Sequence, residues 1–354
     1  MMSKDEIWNL SLRGIRRKDF IGGYLGTREA DHFLRNPIFM GHLGKRPFFD
    51  ITAGTGQFPY ALAKLGWDVF VNDICYYAAS ICRLWADPSW CSMKDRYKWL
   101  LHISESIDPE KVKGVSGYIT SRINRPDVIN KNTSRYLDSI AGSGSGLHKF
   151  LAGAAFLKFF SFRGRNLVTI SPSGMPTKEI TPWILYHSML RVAMKARVCR
   201  EQLGDKKIWS GFYDSLEAIH RAPIPEGSII YMDSAWPYKK ALGGGNPYLF
   251  FAETISSIMR QRQIRVKQMW NRTTTADSIL ERVSLYIDEA FSKGAYRFVL
   301  TTQDTNYPDP DEVFKWAGNR WRLVEVVRSD DYSSNASIPY LNYWGFIAPK
   351  LDRK

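Results

Sequence analysis

The chain contains few of the residues that bind metals or form disulfides. Its 354 residues include only four cysteines (Cys75, Cys82, Cys91 and Cys199) and six histidines. The cysteines lack Cys-x-x-Cys spacing and the histidines are scattered, so we expect neither a zinc site nor a disulfide framework. Reduced thiols are typical of the cytoplasm, which is the expected location.

Long hydrophobic runs are also absent. No stretch approaches the ~20 apolar residues of a membrane-spanning helix. Residues 1–6 are Met-Met-Ser-Lys-Asp-Glu, which lack the apolar segment of a signal peptide. The content of 44% hydrophobic and 24% charged residues is ordinary for a globular protein, and the length allows one large domain or two. We therefore expect no membrane partner.

Acidic residues are too few to balance the basic ones. The chain has 49 Lys and Arg against 35 Asp and Glu, for a net charge of +14, and residues 76–204 alone have 19 against 9. Such an excess predicts a polyanionic partner, most simply nucleic acid, although a solvated helical surface is the alternative. An acidic membrane is less favoured because no basic amphipathic helix is evident.

One segment has the pattern of a nucleoside-binding β-loop-α-β unit. Residues 47–56 (Pro-Phe-Phe-Asp-Ile-Thr-Ala-Gly-Thr-Gly) form an apolar strand followed by a glycine loop, and an amphipathic helix that ends near Gly66 comes next. A second strand then ends at Asp73. Glycines allow close approach of the backbone, the helix N-terminus offers free N–H groups, and an acid after the second strand suits ribose hydroxyls.

That unit alone fits either NAD or S-adenosylmethionine (SAM). The loop contains Gly54 and Gly56 but not the third glycine of the dinucleotide fingerprint. It also follows ~45 residues of other sequence, whereas the fingerprint often opens its domain. Both features favour SAM over NAD.

The rest of the chain divides into two patterns. Residues 76–204 are interpreted as a helical, loop-rich insert, and residues 1–75 and 205–354 as one α/β domain around it. After residue 204 we predict strands at 228–233, 297–302, 321–327 and 342–348, the last two as an antiparallel pair. We also predict helices at 250–269 and 277–292, and a loop rich in Asp and Pro after the strand at 297–302.

A second segment with chemical potential follows the strand at 228–233. It contains Asp233, Trp236, Pro237 and Tyr238. A carboxylate and a turn carbonyl can accept hydrogen bonds from an exocyclic amine while an aromatic ring stacks on a flipped base. A simple Asp-initiated turn with core aromatic residues is the alternative interpretation.

Taken together and in order, these segments resemble the Dam-like (D12 class, α-group) DNA adenine-N6 methyltransferases. Residues 24–28 resemble the family's Tyr-x-Gly-Ser/Gly-Lys motif, residues 50–56 its SAM loop, and residues 72–74 its Asn-Asp-Ile. Residues 155–164 resemble a segment of its DNA-recognition insert, and residues 208–216 the strand and turn before its catalytic motif. Residues 299–305 resemble its Leu-Ser-Asn-Ser-Asp-Thr strand end, and residues 328–329 and 342–343 fall at its basic hairpin and last strand.

The resemblance implies a class I SAM-dependent methyltransferase, a Rossmann-like mixed sheet with an antiparallel final hairpin and a helical insert. It implies SAM as cofactor and double-stranded DNA as partner. The implied catalytic residues are Asp233, Trp236, Pro237 and Tyr238. The implied cofactor residues are Tyr24, Gly26, Arg28, Asp50, Ala53, Gly54, Gly56, Asp73, Ile74, Phe212 and Tyr213. The candidate DNA contacts are Arg122, Arg125, Arg163, Arg165, Lys239 and Lys240.

Three departures from the family pattern keep other functions open. The family's Asp-Pro-Pro-Tyr is Asp233-Ser-Ala-Trp-Pro-Tyr here, its Gly-Asp-Phe turn is Gly211-Phe-Tyr, and its motif lysine is Arg28. A lengthened turn could serve another acceptor, such as RNA or a different base, or transfer another part of SAM. The lost acid at Phe212 also leaves open a catalytically inactive protein that binds DNA.

Overall fold

The strand order of the sheet determines which loops lie next to one another at each of its edges. The computed structural model describes residues 34, 36–91, 95–122, 130–143, 146–161, 181–233, 255–264, 275–328 and 341–350. These residues form a seven-stranded mixed sheet in the order β3-β2-β1-β4-β5-β7-β6. The strands are β1 Phe48–Asp50, β2 Val69–Asn72, β3 Trp209–Gly211, β4 Ile229–Met232, β5 Arg297–Gln303, β6 Arg322–Arg328 and β7 Asn342–Ala348.

Parallel pairing fixes which strand ends meet. β1 pairs in parallel with both β2 and β4, so that Asp50 lies opposite Val71 on one side and Tyr231 on the other. β3 and β5 extend this parallel set, whereas β7 runs antiparallel between β5 and β6. The carboxyl ends of β1 to β5 therefore lie along one edge. The antiparallel pair β6–β7 confirms the predicted final hairpin.

Both faces of the sheet are covered, as short parallel strands require. The helices are α1 Pro37–Leu43, α2 Gln57–Lys64, α3 Tyr76–Ala86, α4 Arg96–Ser106, α5 Tyr118–Arg122, α6 Lys131–Gly142, α7 Gly146–Ser161, α8 Pro182–Glu201, α9 Ser215–Arg221, α10 Ala276–Ser292 and α11 Pro310–Arg320. One face of the sheet carries Phe48, Val71 and Tyr231 against α2 and α3, and the other carries Phe49, Ile230 and Phe298 against α9, α10 and α11. Residues 255–260 are also helical.

The insert between β2 and β3 is helical where the structure describes it, and it shares the core of the sheet. Its buried residues Trp85, Phe150 and Met189 belong to the same apolar cluster as Phe48. Arg200 of α8 joins these parts: its Nη1 donates to the carbonyls of Trp85 (2.8 Å) and Ala86 (3.0 Å). A buried guanidinium satisfied by backbone carbonyls stabilises the position of α8 beside α3.

Residues 304–309 form the predicted loop after β5, but the helix that follows it was not predicted. This helix, α11, starts with Pro310 at its first position, where a missing N–H costs nothing. Of the helix predicted over 250–269, residues 255–260 are helical and residues 261–264 are not, since Gln261 adopts a φ of +52°. Residues 250–254 and 265–269 lie outside the described part of the chain. The helix predicted at 277–292 is confirmed, with Gly294 at φ +80° just beyond its end. None of the helices in the described ranges has the length and apolarity to cross a bilayer.

Candidate nucleoside site at the carboxyl edge of the sheet

The candidate site lies where the order of strands reverses. From β1 the chain builds the sheet outward through β2 and β3 on one side and through β4 and β5 on the other. In open α/β sheets the loops at such a point separate, and the crevice beyond the strand ends accommodates a ligand. Here Asp50 ends β1, Asp73 follows β2 and Asp233 follows β4. The structure thus brings the three predicted acids to one edge.

The loop after β1 is a compact turn fixed to the neighbouring strands. Gly54 and Gly56 have φ values of +56° and +76°. The backbone N–H of Ala53 donates to the carbonyl of Asn72 (2.8 Å), and that of Gly54 donates to Oδ2 of Asp73 (2.7 Å). A side chain on Gly56 has no space, because a Cβ there would lie 2.6 Å from Cζ2 of Trp85. The two glycines are therefore required by conformation and by close packing.

Gly56→Ala is expected to destabilise the protein strongly. The alanine would meet both the left-handed conformation and the Trp85 ring, for a combined loss of roughly 2–4 kcal/mol in the free energy of unfolding. Gly66→Ala is the matched control, since Gly66 has φ +92° but nothing within 4 Å of an added Cβ. That variant should lose only the conformational part, about 1–2 kcal/mol. Equal losses in urea titrations of the two variants would contradict the close contact at Gly56.

Asp73 has the geometry of a ligand-facing acid that also organises the loop. Its Oδ1 accepts from the N–H of Cys75 (2.7 Å), while Oδ2 accepts from Gly54. The residue is half-buried, and burial raises the pKa of its carboxyl group to about 6 despite these two hydrogen bonds. Two of the predicted cofactor residues, Asp73 and Gly54, are thus in direct contact. Asp73 is ionised above pH 6 and can accept further hydrogen bonds at neutral pH.

Asp50 lies deeper than Asp73. It is 3% exposed, and its Oδ1 accepts from the N–H of Thr52 (3.1 Å). Burial raises the pKa of Asp50 well above its usual value, and the negative charges of Asp233 and Asp73 raise it further. Asp233 and Asp73 therefore lie close enough to Asp50 for their charges to act on it. Asp50 therefore holds the backbone of the loop through its contact with Thr52, and Asp73 is the more accessible of these two acids.

Two apolar side chains are exposed beside these acids. Ile74 is 42% exposed and Phe212 is 46% exposed, although both are large and hydrophobic. Phe212 contacts the ring of Tyr76 edge-on at 5.4 Å. Exposed apolar side chains beside polar groups are typical of a ligand site. Tyr213 lies differently, because its ring stacks on Trp209 at a centroid distance of 6.3 Å.

Three polar residues of this edge escaped the sequence analysis as site residues. Asn72 bridges two loops: its Nδ2 donates to the carbonyls of Ile51 (3.1 Å) and Tyr213 (3.0 Å), and its Oδ1 accepts from the N–H of Tyr213 (3.0 Å). Thr52 and Thr301 both hydrogen-bond Asp233. All three lie in segments that the resemblance covers, residues 50–56, 72–74 and 299–305, and this was the available signal.

Several predicted site residues fall outside the described part of the chain. They are Tyr24, Gly26, Arg28, Trp236, Pro237, Tyr238, Arg125, Arg163, Arg165, Lys239 and Lys240. Arg122 is described, and it is exposed at the end of α5. These assignments stay predictions.

The described residues contain no group of three His, Cys, Asp or Glu side chains arranged to hold a metal ion. Three of the cysteines, Cys75, Cys82 and Cys199, are buried free thiols. Neither a scan against models of protein families nor a search of curated proteins finds a match to this chain. Function is therefore inferred from the geometry of the carboxyl edge.

Proposed function

We propose that the protein is a SAM-dependent methyltransferase that methylates the N6 amine of a flipped adenine in DNA. One observation carries the proposal: Asp73, the positive-φ glycine loop and Asp233 meet at the switch point of a sheet with an antiparallel last strand. The first two suit a nucleoside, and the third suits an amine beside it. The resemblance of the motifs to Dam-like enzymes supports the same conclusion.

The described residues fit the nucleoside half of SAM. Asp73 would accept from ribose hydroxyls, and the exposed side chains of Ile74 and Phe212 would offer apolar surfaces for an adenine ring. At Gly54 and Gly56 the loop has no side chain, so the backbone could approach the ligand there. When bound, SAM would supply an electrophilic methyl group on a sulfonium.

In this proposal Asp233 binds the amine that is methylated. It follows β4, beside β1, so its carboxylate and the glycine loop share the same edge. SAM, held by Asp73 and the glycine loop, would supply the methyl group to the amine nitrogen. Its sulfur would keep the electron pair of the broken methyl–sulfur bond and leave as the thioether S-adenosylhomocysteine, and the proton lost from the nitrogen would pass to solvent. Asp233 would accept a hydrogen bond from the amine and direct its lone pair. Such a step depends mainly on positioning and electrostatics.

Duplex DNA is the proposed partner because of the charge of residues 76–204, with 19 Lys and Arg against 9 Asp and Glu. The affinity for a duplex should fall with salt, with a log–log slope of about −0.9 for each phosphate contacted. Arg122→Gln should reduce the magnitude of that slope by about 0.9 if its exposed guanidinium contacts a phosphate. Lys45→Gln is the matched control, because Lys45 is exposed in the turn before β1, at the edge of the sheet opposite to the candidate site. A salt-independent affinity would contradict the DNA proposal.

Transfer is tested by incubating the protein with SAM and unmethylated genomic DNA, then identifying the nucleosides by mass spectrometry. The expected product is N6-methyldeoxyadenosine. Parallel incubations with RNA test the alternative acceptor. If a base other than adenine is modified, that base replaces the N6 amine of adenine as the proposed acceptor. Binding of SAM and DNA without any product would favour the alternative of a catalytically inactive DNA-binding protein. That alternative is considered because Phe212 stands where the family has an acid.

A further inference from the structure

We propose that Thr301 of β5 is a positioning residue for Asp233, so that a hydroxyl from the neighbouring strand sets the direction of the amine-binding carboxylate. The inference rests on the proposed function and gives a role to Thr301, which lies in the segment 299–305 but is not among the predicted site residues. Thr301 Oγ1 lies 2.7 Å from Oδ1 of Asp233 and 3.2 Å from the carbonyl of Met232. A hydroxyl has one proton, and the carboxylate is the stronger acceptor.

The sheet register explains why this hydroxyl reaches the acid. β4 pairs in parallel with β5, and Met232 lies opposite Leu300, so Thr301 stands beside Asp233 one residue farther along. Thr301 is only 4% exposed. A hydrogen bond shielded from water is electrostatically stronger than an exposed one, and it restricts the side-chain torsions of the carboxylate it holds.

A second hydroxyl holds the backbone of the same residue from the opposite side. The N–H of Asp233 donates to Oγ1 of Thr52 (2.7 Å), and Thr52 belongs to the loop that follows β1. Asp233 is thus held by one threonine on β5 and by another in the loop that follows β1, on the other side of β4. A side chain that acts only by aligning an amine must be held in a fixed position, because a displacement of about 1 Å can reduce the rate about 100-fold.

The adjacent threonine provides a matched control. Thr302 is fully buried on the opposite face of β5, and within the described ranges its hydroxyl has no hydrogen-bond partner. Thr301→Val and Thr302→Val therefore make the same change of chemistry one residue apart. Thr301→Ser retains the hydroxyl at the first position.

The test measures kcat, KM for SAM and KM for DNA in the four proteins. We expect Thr301→Val to lower kcat about 10- to 100-fold while KM for SAM changes less than about twofold. Thr301→Ser should return kcat to within about threefold of the wild-type value, and Thr302→Val should match the wild type. Wild-type kcat in Thr301→Val would overturn the inference, and so would a Ser variant as impaired as the Val variant.

Failure of the inference is separable from failure of the proposed function. If Asp233→Ala is inactive while Thr301→Val is normal, the amine site stands and the positioning role is wrong. If the wild type transfers no methyl group, crystal structures of the wild type and Thr301→Val still test the positioning. The inference predicts a different carboxylate direction at Asp233 in the variant, and an unchanged direction would overturn it.

Discussion

Asp233→Ala should reduce methyl transfer at least about 10²- to 10⁴-fold, the range typical of a lost proton-handling or amine-orienting group. The alanine retains the backbone N–H that donates to Thr52, so the contact between residue 233 and the loop after β1 should remain. Affinity for SAM should change little, because the proposed cofactor contacts lie at the ends of β1, β2 and β3. The measurement combines single-turnover methylation with calorimetry of SAM binding.

Asp233→Asn provides the matched variant for charge. It preserves the size of the side chain and an oxygen that can accept from Thr301, but it removes the negative charge. We expect activity between those of the wild type and the alanine variant, with an unfolding midpoint close to the wild-type value. Retained turnover in Asp233→Ala would remove this residue from the proposed mechanism, whatever its hydrogen bonds.

Asp73→Asn is expected to weaken SAM binding roughly 10- to 100-fold at pH 8, as for the loss of a hydrogen bond to a charged group. The pH dependence provides the sharper result. Burial raises the pKa of Asp73 to about 6, so the carboxylate is ionised above that pH and protonated below it. Ribose hydroxyls donate best to the ionised form. Affinity in the wild type should therefore be constant above pH 7 and fall by up to about tenfold per pH unit below pH 6.

The asparagine variant should show the same low affinity from pH 5 to pH 8, since its side chain does not titrate in that range. Asp68→Asn is the control, because Asp68 is exposed and directly precedes β2, at the opposite end of that strand from Asp73. It should retain both the affinity and the pH dependence of the wild type. A pH-independent affinity in the wild type would show that Asp73 does not meet the ligand.

The local parts of the fold could be predicted from the sequence, because short-range signals determine them. The unit from β1 to β2 is marked by apolar runs, by Gly54 and Gly56, and by Gly66 at φ +92°. The helix at 277–292 has a regular apolar face and an N-capping Thr275. Helix α11 was missed because Asp and Pro, which usually mark turns, here form the N-terminus of a helix.

The connections within the site could not be predicted, because they join residues that are distant in sequence. Thr52 and Asp233 are 181 positions apart, Asn72 and Tyr213 are 141 apart, and Thr301 and Asp233 are 68 apart. Each contact depends on the order and register of strands, which no local pattern specifies. The acids were found because each ends or directly follows its own strand. The two threonines that hold Asp233 lie in other parts of the chain.

Calorimetric titration of the purified protein with SAM, and separately with NAD⁺, tests the central claim that this edge is a SAM site. The wild type should bind one SAM per chain at pH 8 and show no heat with NAD⁺, and Asp73→Asn should bind SAM more weakly. Binding of NAD⁺ without SAM, or SAM binding that is unaffected by Asp73→Asn, would contradict the account.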